Sequence, residues 1–336
     1  MKDYAAHEVK NICLLGHSGS GKTTVVESML YFTKATDRMG KTLEGSSVLD
    51  YDAEEVKRGL SIFTSLAPIE WKDHKINFID TPGYFDYAQE MEAGLAVADN
   101  ALIVVDGKDG IQTGTIRAFK QVSKRKLPTI FFINKLDEEN TSFEKVYTQL
   151  RDKFGKSIIP FEIPIVENGS IVGSVNILRN KAWYLNDREN AKDVPANLKP
   201  IVEEYLNQIS ESIAMTCDEL MEKFFSGETF TEAELMQGVR LGVRSGEIRP
   251  VYAGSAIKML GIERLMDLIG EYFPSYGELG TVEAKNTNGE VITLQTNESE
   301  AFSALVYKTI IDPFVGRISF IKVMRDRKST RLNSSH

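Results

Sequence analysis

The sequence is poor in cysteine, tryptophan and histidine, and it contains no long apolar run. Its 336 residues include two cysteines, two tryptophans and four histidines. Cys13 and Cys217 are too few for a disulfide framework and lack the spacing of metal ligands. The longest apolar runs, such as 101–105, have the length of a strand and are far shorter than a membrane span. Neither a disulfide-rich scaffold nor a transmembrane segment is therefore predicted.

A strong charge of one sign is also missing. The net charge of −8 argues against binding of bare nucleic acid, such as DNA, by the whole surface. A local basic face could still meet a structured RNA. The first ten residues, MKDYAAHEVK, contain no apolar signal core. Because neither a membrane span nor a signal core is predicted, the chain is expected to be cytoplasmic and to make no membrane contact. We also expect it to be a monomer.

Apolar runs alternate with amphipathic stretches from residue 9 onward. The runs are continuously hydrophobic, which is typical of parallel strands covered by helices on both faces. The predicted strands are 9–15, 74–79, 101–106 and 129–134, and the predicted helices are 21–32, 85–98, 113–125 and 142–154. A strand within 62–71 is predicted to pair antiparallel with the strand at 74–79. The predicted fold class is α/β with a mostly parallel sheet.

The domain organisation follows from changes in this rhythm. The first domain is predicted over 8–275, and an insertion rich in glutamate interrupts it at about 155–245. The polar run 276–300 is expected to be a linker. Residues 301–326 alternate like the first strands of an antiparallel β-barrel domain that is cut short. The last residues, 327–336, lack periodicity and resemble translated adapter sequence, so we expect them to be non-native.

The stretch GHSGSGKT at 16–23 follows an apolar strand and opens a helix. This context and the pattern GxxxxGK[ST] predict a phosphate-binding loop, whereas a flexible Gly-Ser turn is the plainer alternative. The backbone amides of 19–24 would surround the α- and β-phosphates, Lys22 would reach the β- and γ-phosphates, and Thr23 would bind Mg²⁺. The residues assigned to nucleotide binding here are Gly16, His17, Ser18, Gly19, Ser20, Gly21, Lys22, Thr23 and Thr24.

The run Asn134-Lys135-Leu136-Asp137 follows another apolar strand, and its residues are candidates for binding the base of the nucleotide. Asp137 can accept two hydrogen bonds from the N1–H and the exocyclic amine of guanine, and adenine offers no such pair of donors. Lys135 would lie over the base plane, and Asn134 would tie this loop to the phosphate loop. By itself this run is often only a polar loop. In this context it favours GTP or GDP over ATP.

Two weaker motifs also stand at strand ends. In Asp80-Thr81-Pro82-Gly83, Asp80 can hold Mg²⁺ through water while the Gly83 amide binds the γ-phosphate, so that loss of this phosphate releases the next segment. In Gly254-Ser255-Ala256, small residues would let the backbone at Ser255 and Ala256 approach the guanine oxygen. Each motif alone could be an ordinary turn. Their order and their positions together predict one guanine-nucleotide site.

With these motifs the sequence resembles the translational GTPase family, most closely elongation factor G and its paralogues. The more specific matches are RGLSI at 58–62, DGIQ at 109–112 and DPFVG at 312–316. The resemblance implies a GTPase that acts on the ribosome, contacts ribosomal RNA and stalk proteins, and couples hydrolysis to a conformational change. It also implies that Ser61 stands where the family has a threonine that binds Mg²⁺ and senses the γ-phosphate.

The sequence departs from the family pattern after Gly83. The family has a histidine there that positions the attacking water, and this chain has Tyr84. Tyrosine has a pKa near 10, so it is a neutral donor at pH 7 and cannot carry the charge of an imidazolium. We hypothesise that Tyr84 orients water less effectively and gives slow turnover. The residues assigned to catalysis are Lys22, Ser61, Gly83 and Tyr84.

Three alternatives remain open at this point. A tetracycline-protection protein or a peptide chain release factor 3 would share these motifs. A GTP-dependent module that occupies the ribosome and hardly hydrolyses is favoured by Tyr84. A small-molecule kinase with the same phosphate loop is disfavoured by Asp137.

Overall fold

The computed structural model describes Lys2 and residues 4–167, 169–285, 288–296, 302–312 and 314–325. The strands are β1 (Val9–Gly16), β2 (Ser65–Trp71), β3 (His74–Asp80), β4 (Asn100–Asp106), β5 (Thr129–Asn134), β6 (Ile158–Pro160), β7 (Glu162–Glu167), β8 (Ser170–Asn176), β9 (Lys181–Tyr184), β10 (Asp187–Lys192), β11 (Arg249–Ala253), β12 (Thr281–Lys285), β13 (Val291–Gln295), β14 (Ser303–Asp312) and β15 (Gly316–Arg325). The helices are α1 (Lys22–Phe32), α2 (Ala53–Arg58), α3 (Ala88–Val97), α4 (Thr113–Arg125), α5 (Phe143–Phe154), α6 (Lys199–Ala214), α7 (Asp218–Phe225), α8 (Glu232–Ser245) and α9 (Ile262–Tyr272). The predicted non-native tail at 327–336 lies outside the described residues.

A seven-stranded sheet in the order β2-β3-β1-β4-β5-β11-β6 forms the centre of the molecule. All neighbouring strands are parallel except β2, which pairs antiparallel with β3 as the sequence predicts. Every residue of β4 and β5 is buried, and this explains their continuous hydrophobicity. The predicted α/β class is confirmed. Because β1, β3, β5 and β11 are parallel, the loops after them meet at one edge of the sheet.

The helix predicted over 85–98 has a different beginning. Phe85–Tyr87 form one turn of 3-10 helix, and α3 starts at Ala88. Tight turns of this kind are common where an α-helix begins. Tyr84 therefore precedes the helix in extended backbone.

The inserted segment forms its own antiparallel sheet, in the order β10-β9-β8-β7, and then the helices α6, α7 and α8. The predicted start of the insertion is corrected by β6, which lies inside the predicted range but pairs parallel with β11 in the central sheet. The separate sheet begins only at Glu162. A strand of three apolar residues has no periodicity that would assign it to either sheet.

The C-terminal part contains two antiparallel pairs. β12 and β13 form a hairpin inside the segment that was predicted to be a linker, and β14 pairs with β15. The hairpin was missed because its strands are short and largely exposed, so burial leaves little pattern in them. Closure of β14 and β15 into a barrel stays a prediction. Along the part of the chain that the structure describes, no helix is long and apolar enough to cross a bilayer.

Candidate functional site

The loop between β1 and α1 places Lys22 at the first position of the helix. Gly21 has φ +90°, and a Cβ atom there would lie 2.4 Å from Nδ2 of Asn134, so both backbone conformation and space require glycine. The amides at the start of α1 have no partner within the helix. Local backbone geometry thus builds the loop for which the glycines predict anion binding.

Lys22 is buried, with 6% of its surface exposed. Its ammonium donates to the carbonyl oxygens of Gly16, at 3.4 Å, and His17, at 3.2 Å. Burial lowers its pKa, and the nearby carboxylates of Asp80 and Asp50 act in the opposite direction. The lysine is therefore held over the loop by backbone oxygens, in a site with two acidic neighbours.

Three side chains that carry oxygen atoms, those of Thr23, Ser61 and Asp80, lie close together next to Lys22. The Thr23 hydroxyl donates to Oδ2 of Asp80 at 2.6 Å and lies 3.0 Å from the Ser61 hydroxyl. The other carboxylate oxygen of Asp80 is buried and has no hydrogen-bond partner in the described part of the chain. Burial raises the pKa of Asp80 to about 7, although Lys22 and Thr23 lower it. This set of hard oxygens, with one oxygen unpaired, fits Mg²⁺.

A fourth oxygen-bearing residue, Asp50, joins this cluster and was not predicted. Its Oδ2 is buried without a partner among the described residues, and the hydroxyls of Ser61 and Thr42 act to lower its pKa. Burial raises its pKa. In the sequence Asp50 stands in an acidic run, 50–55, that resembles an ordinary solvated surface, so no local signal distinguishes it.

The loop that carries Ser61 is held by buried carboxylates. Glu55 is 1% exposed, and its Oε1 accepts hydrogen bonds from the amides of Ile62 and Phe63, each at 2.9 Å. Further back, Glu27 from α1 accepts from the Val48 amide at 2.7 Å. These contacts fix the backbone next to two members of the oxygen cluster, Asp50 and Ser61. Glu27 and Glu55 therefore act as positioning residues that sequence reasoning missed.

The Asp80-Thr81-Pro82-Gly83 turn lies directly against the phosphate loop. A Cβ atom on Gly83 would lie 2.5 Å from the Lys22 ammonium and 2.7 Å from the Ser18 amide nitrogen, so no side chain fits there. Tyr84, the next residue, is 45% exposed, and its hydroxyl makes no hydrogen bond within the described ranges. Tyr84 thus stands at the edge of the site with an unengaged hydroxyl.

The remaining residues of the phosphate loop differ in their surroundings. His17 accepts at Nδ1 from the Gly114 amide at 3.3 Å, which ties the loop to the start of α4. Ser20 is buried, Gly19 is exposed, and Thr24 is half-buried in α1. His17 thus has a structural contact in addition to its position in the loop.

Asn134 joins the phosphate loop to the loop after β11. Its Nδ2 donates to the Ser20 carbonyl oxygen at 3.0 Å, and its Oδ1 accepts from the Ala256 amide at 2.9 Å. The bridge to the phosphate loop is the one the sequence predicts. The second bond, to a residue 122 positions away, could only come from the tertiary structure.

We expect Asn134→Ala to lower the free energy of unfolding by about 2–4 kcal/mol, because it leaves two buried backbone groups unpaired. Urea denaturation of the chain without nucleotide measures this. Glu138→Ala is the control, since this exposed side chain should change stability by no more than about 0.5 kcal/mol. Equal stability of the two variants would show that the Asn134 bridge contributes nothing.

The loop after β5, residues 134–137, is here called the base-side loop, and it leaves the Asp137 carboxylate open to solvent. Lys135 has φ +64°, and its ammonium forms an ion pair with Asp106 at 2.8 Å. Two nearby amides, of Lys108 and Asp109, also donate to Asp106, and together with Lys135 they lower its pKa against the effect of burial. Asp137 is exposed and makes no hydrogen bond or ion pair with any described residue. Asp106, which positions Lys135, was not predicted.

The loop after β11 forms the rest of the side of the site that is predicted to bind the base. Ser255 and Ala256 are each 1% exposed, and the Ser255 amide donates to the Leu260 carbonyl at 3.1 Å. The Leu136 amide donates to the Gly254 carbonyl at 3.1 Å. All four predicted motifs therefore lie at one edge of the sheet, and their loops are directly bonded to one another.

Comparison with known proteins agrees with this geometry. A family model described as the elongation factor Tu GTP binding domain matches residues 7–275. Among solved structures, the chain is similar to the crystal structure of ttk003000868 from Thermus thermophilus, with a TM-score of 0.84 and 30% sequence identity. The match covers 95% of this chain and 46% of that chain, so this chain spans less than half the length of the solved protein.

Proposed function

The chain belongs to the elongation factor Tu GTP binding domain family, and from this premise we propose that it hydrolyses GTP on the ribosome as an elongation factor G-like translation factor. The predicted resemblance to translational GTPases is confirmed at the level of the family. The observation that carries the proposal is the meeting of Lys22, Thr23, Ser61 and Asp80 at the end of the sheet, on the same edge as Asp137.

The phosphates of GTP would bind at the start of α1. The amides of 19–24 and the helix N-terminus would donate to the α- and β-phosphates, and Lys22 would contact the β- and γ-phosphates. Thr23, Ser61 and Asp80 would hold Mg²⁺, with Asp50 beside them. When bound, this ion supplies neutralisation of charge between the β- and γ-phosphates. The Gly83 amide would donate to the γ-phosphate.

Recognition of the base would rest on Asp137. Its carboxylate would accept from the N1–H and the amine of guanine, while Lys135, held by Asp106, covers the ring. The backbone at Ser255 and Ala256 would contact the guanine oxygen. Asn134 links the loop after β11 to the phosphate loop, so the base and the phosphates would be held at a set distance.

Release of the γ-phosphate would free two segments at once. Gly83 and Ser61 would both lose their contact, and each belongs to a segment that is packed against the phosphate loop. Loss of the γ-phosphate would thereby change the conformation of both segments. In the proposed function, this conformational change alters the interaction of the protein with ribosomal RNA and stalk proteins.

Single-turnover GTP hydrolysis at saturating GTP, with and without ribosomes, tests the proposal. A large acceleration by ribosomes is expected. GTP-dependent binding to ribosomes without phosphate release would instead identify a module that occupies the ribosome. This second candidate is favoured by Tyr84, which stands where the family has a histidine. Tighter binding of ATP than of GTP would contradict both. Within the first candidate, action like that of a tetracycline-protection protein or peptide chain release factor 3 remains an alternative.

We expect Tyr84→Phe to slow single-turnover hydrolysis on ribosomes about tenfold or more, because it removes the hydroxyl that would orient water. Tyr84→His should be faster than the parent, since an imidazole can carry a charge near pH 7. Tyr87→Phe, three residues along the chain, is the matched control and should leave the rate unchanged. A Tyr84→Phe variant as fast as the parent would remove any role for the hydroxyl.

A further inference from the structure

A lysine of β14 contacts the loop that carries Ser61. The ammonium of Lys308 donates a hydrogen bond to the carbonyl oxygen of Thr64 and lies 5.5 Å from the centre of the Phe63 ring. Thr64 is 3% exposed and follows shortly after Ser61. We call residues 61–64 the Ser61 segment. This segment is therefore held in part by a strand that lies 244 positions further along the chain.

The helix α3 also holds Thr64. Oε2 of Glu90 accepts a hydrogen bond from the Thr64 amide at 2.7 Å, and the Glu90 carbonyl oxygen accepts from the Thr64 hydroxyl at 2.8 Å. α3 starts at Ala88, shortly after the turn that contains Gly83. Thr64 therefore joins three parts of the fold, which are the Ser61 segment, α3 and β14.

Lys308 also balances negative charge around the Ser61 segment. Two carboxylates, those of Glu55 and Glu90, accept hydrogen bonds from backbone amides of this segment. Lys308 is half-buried. Burial lowers its pKa, and the charges of Glu90, Glu55 and Asp52 act in the opposite direction. Removal of the Lys308 charge would therefore leave like charges near the same stretch of backbone.

The strand pair β14–β15 is attached to the central sheet at a separate point. Lys322 of β15 forms an ion pair with Asp99, which stands just before β4, and both side chains are largely buried. The Lys322 ammonium also lies 4.7 Å from the centre of the Tyr276 ring. Because separation of a buried ion pair is strongly unfavourable, this contact keeps the strand pair in place. Lys308 therefore reaches Thr64 from a fixed support.

We propose that Lys308 is a positioning residue for the nucleotide site. It holds Thr64 so that the Ser61 hydroxyl stays next to Thr23 and Asp80, where it can bind Mg²⁺. The inference deepens the proposed function and rests on its nucleotide site. Because Ser61 would contact Mg²⁺ only while the γ-phosphate is present, Lys308 raises the affinity for GTP and leaves the affinity for GDP unchanged. The strand pair β14–β15 thereby contributes to the selection of GTP over GDP.

Equilibrium binding of GTP and of GDP to the full chain in the presence of Mg²⁺ tests the proposal. Lys308→Met should weaken GTP binding about tenfold, because the Ser61 segment is then correctly placed in only a fraction of the molecules. GDP affinity should stay within about twofold of the parent. Lys308→Arg keeps the charge and the donor and should restore the GTP affinity. Lys285→Met, on an exposed position of β12, is the matched control and should bind both nucleotides like the parent.

Amide hydrogen exchange of the nucleotide-free chain measures the same contact without any ligand. The amides of Ile62, Phe63 and Thr64 donate to carboxylates that Lys308 faces. Their exchange should be about fivefold or more faster in Lys308→Met than in the parent, because local opening of the segment becomes easier. The buried amides of β5 should exchange at the parent rate, which separates a local change from a loss of overall stability.

Three results would overturn the proposal. They are an unchanged GTP affinity in Lys308→Met, an equal loss of GTP and GDP affinity, or unchanged exchange in the Ser61 segment. If urea denaturation shows that Lys308→Met does not fold, Lys308→Gln takes its place, with the same loss specific to GTP expected.

Failure of the proposed function gives a different pattern. A parent chain that binds GTP and is not accelerated by ribosomes would contradict the proposed function and leave the effect of Lys308 on GTP affinity intact. If the parent binds no guanine nucleotide, the proposed function and the GTP selectivity assigned to Lys308 are both wrong. The exchange rates would then decide only whether Lys308 holds the Ser61 segment.

Discussion

Asp137→Asn is expected to weaken GTP binding by about 100-fold to 10,000-fold. Two hydrogen bonds to a charged carboxylate are lost, each worth about 1.5–3 kcal/mol, and the asparagine amide then faces the guanine amine donor to donor. Asp137 is exposed and makes no hydrogen bond or ion pair with described residues, so the substitution should not change the stability of the fold. A loss of affinity can therefore be assigned to the base contact.

The same variant should gain affinity for xanthosine triphosphate. Xanthine has a carbonyl oxygen where guanine has its amine, so the asparagine amide can donate to this oxygen while its carbonyl accepts from N1–H. Specificity thus changes through complementarity of donors and acceptors, without any change in the phosphate loop. Equilibrium competition between the two nucleotides, in the parent and in the variant, measures the exchange.

The control for this experiment is Glu138→Gln. It removes a neighbouring exposed carboxylate and changes the local charge by the same amount. Its nucleotide preference should equal that of the parent. If Asp137→Asn also keeps its preference for GTP, the carboxylate does not contact the base, and the assignment of this loop is wrong.

Lys22→Met should reduce single-turnover hydrolysis by about 1,000-fold or more. The Lys22 ammonium interacts with the carboxylates of Asp80 and Asp50 at the phosphate end of the site. The transferred phosphoryl group carries its charge on oxygens that need such a cation. Methionine has nearly the same length and no charge, so packing in this buried position is retained. GTP affinity should fall as well, because Lys22 would contact phosphates before and during the reaction.

Lys120→Met on α4 is a suitable control for Lys22→Met. Lys120 is exposed, and the substitution removes the same charge from the surface. Its rate and affinity should equal those of the parent, and urea denaturation should show that both variants are folded. Hydrolysis by Lys22→Met within tenfold of the parent rate would show that this lysine is not part of the catalytic site.

The sequence was informative where a residue acts through its local surroundings. Continuous apolar runs predicted four of the parallel strands, β1, β3, β4 and β5, to within a residue at each end, because strands buried on both faces have little room for polar side chains. The glycines of 16–21 and the lysine that follows predicted the phosphate loop, because the backbone conformation there excludes other residues. The base-side aspartate, Asp137, was predicted in the same way, from its position just after a strand.

Groups that act over long distances along the chain were decided only by the tertiary structure. Asp50, Glu55 and Asp106 are ordinary acidic residues in sequence, and each is distinguished by burial and by the partners that folding brings to it. Glu162 is likewise one carboxylate in an apolar run of the sequence, and folding buries it next to the Ser174 hydroxyl, which donates to it. Local motifs therefore predicted the family and the chemistry that we propose for the chain. Long-range packing decided which carboxylates hold the loops in place, because charge and burial depend on neighbours that sequence spacing does not show.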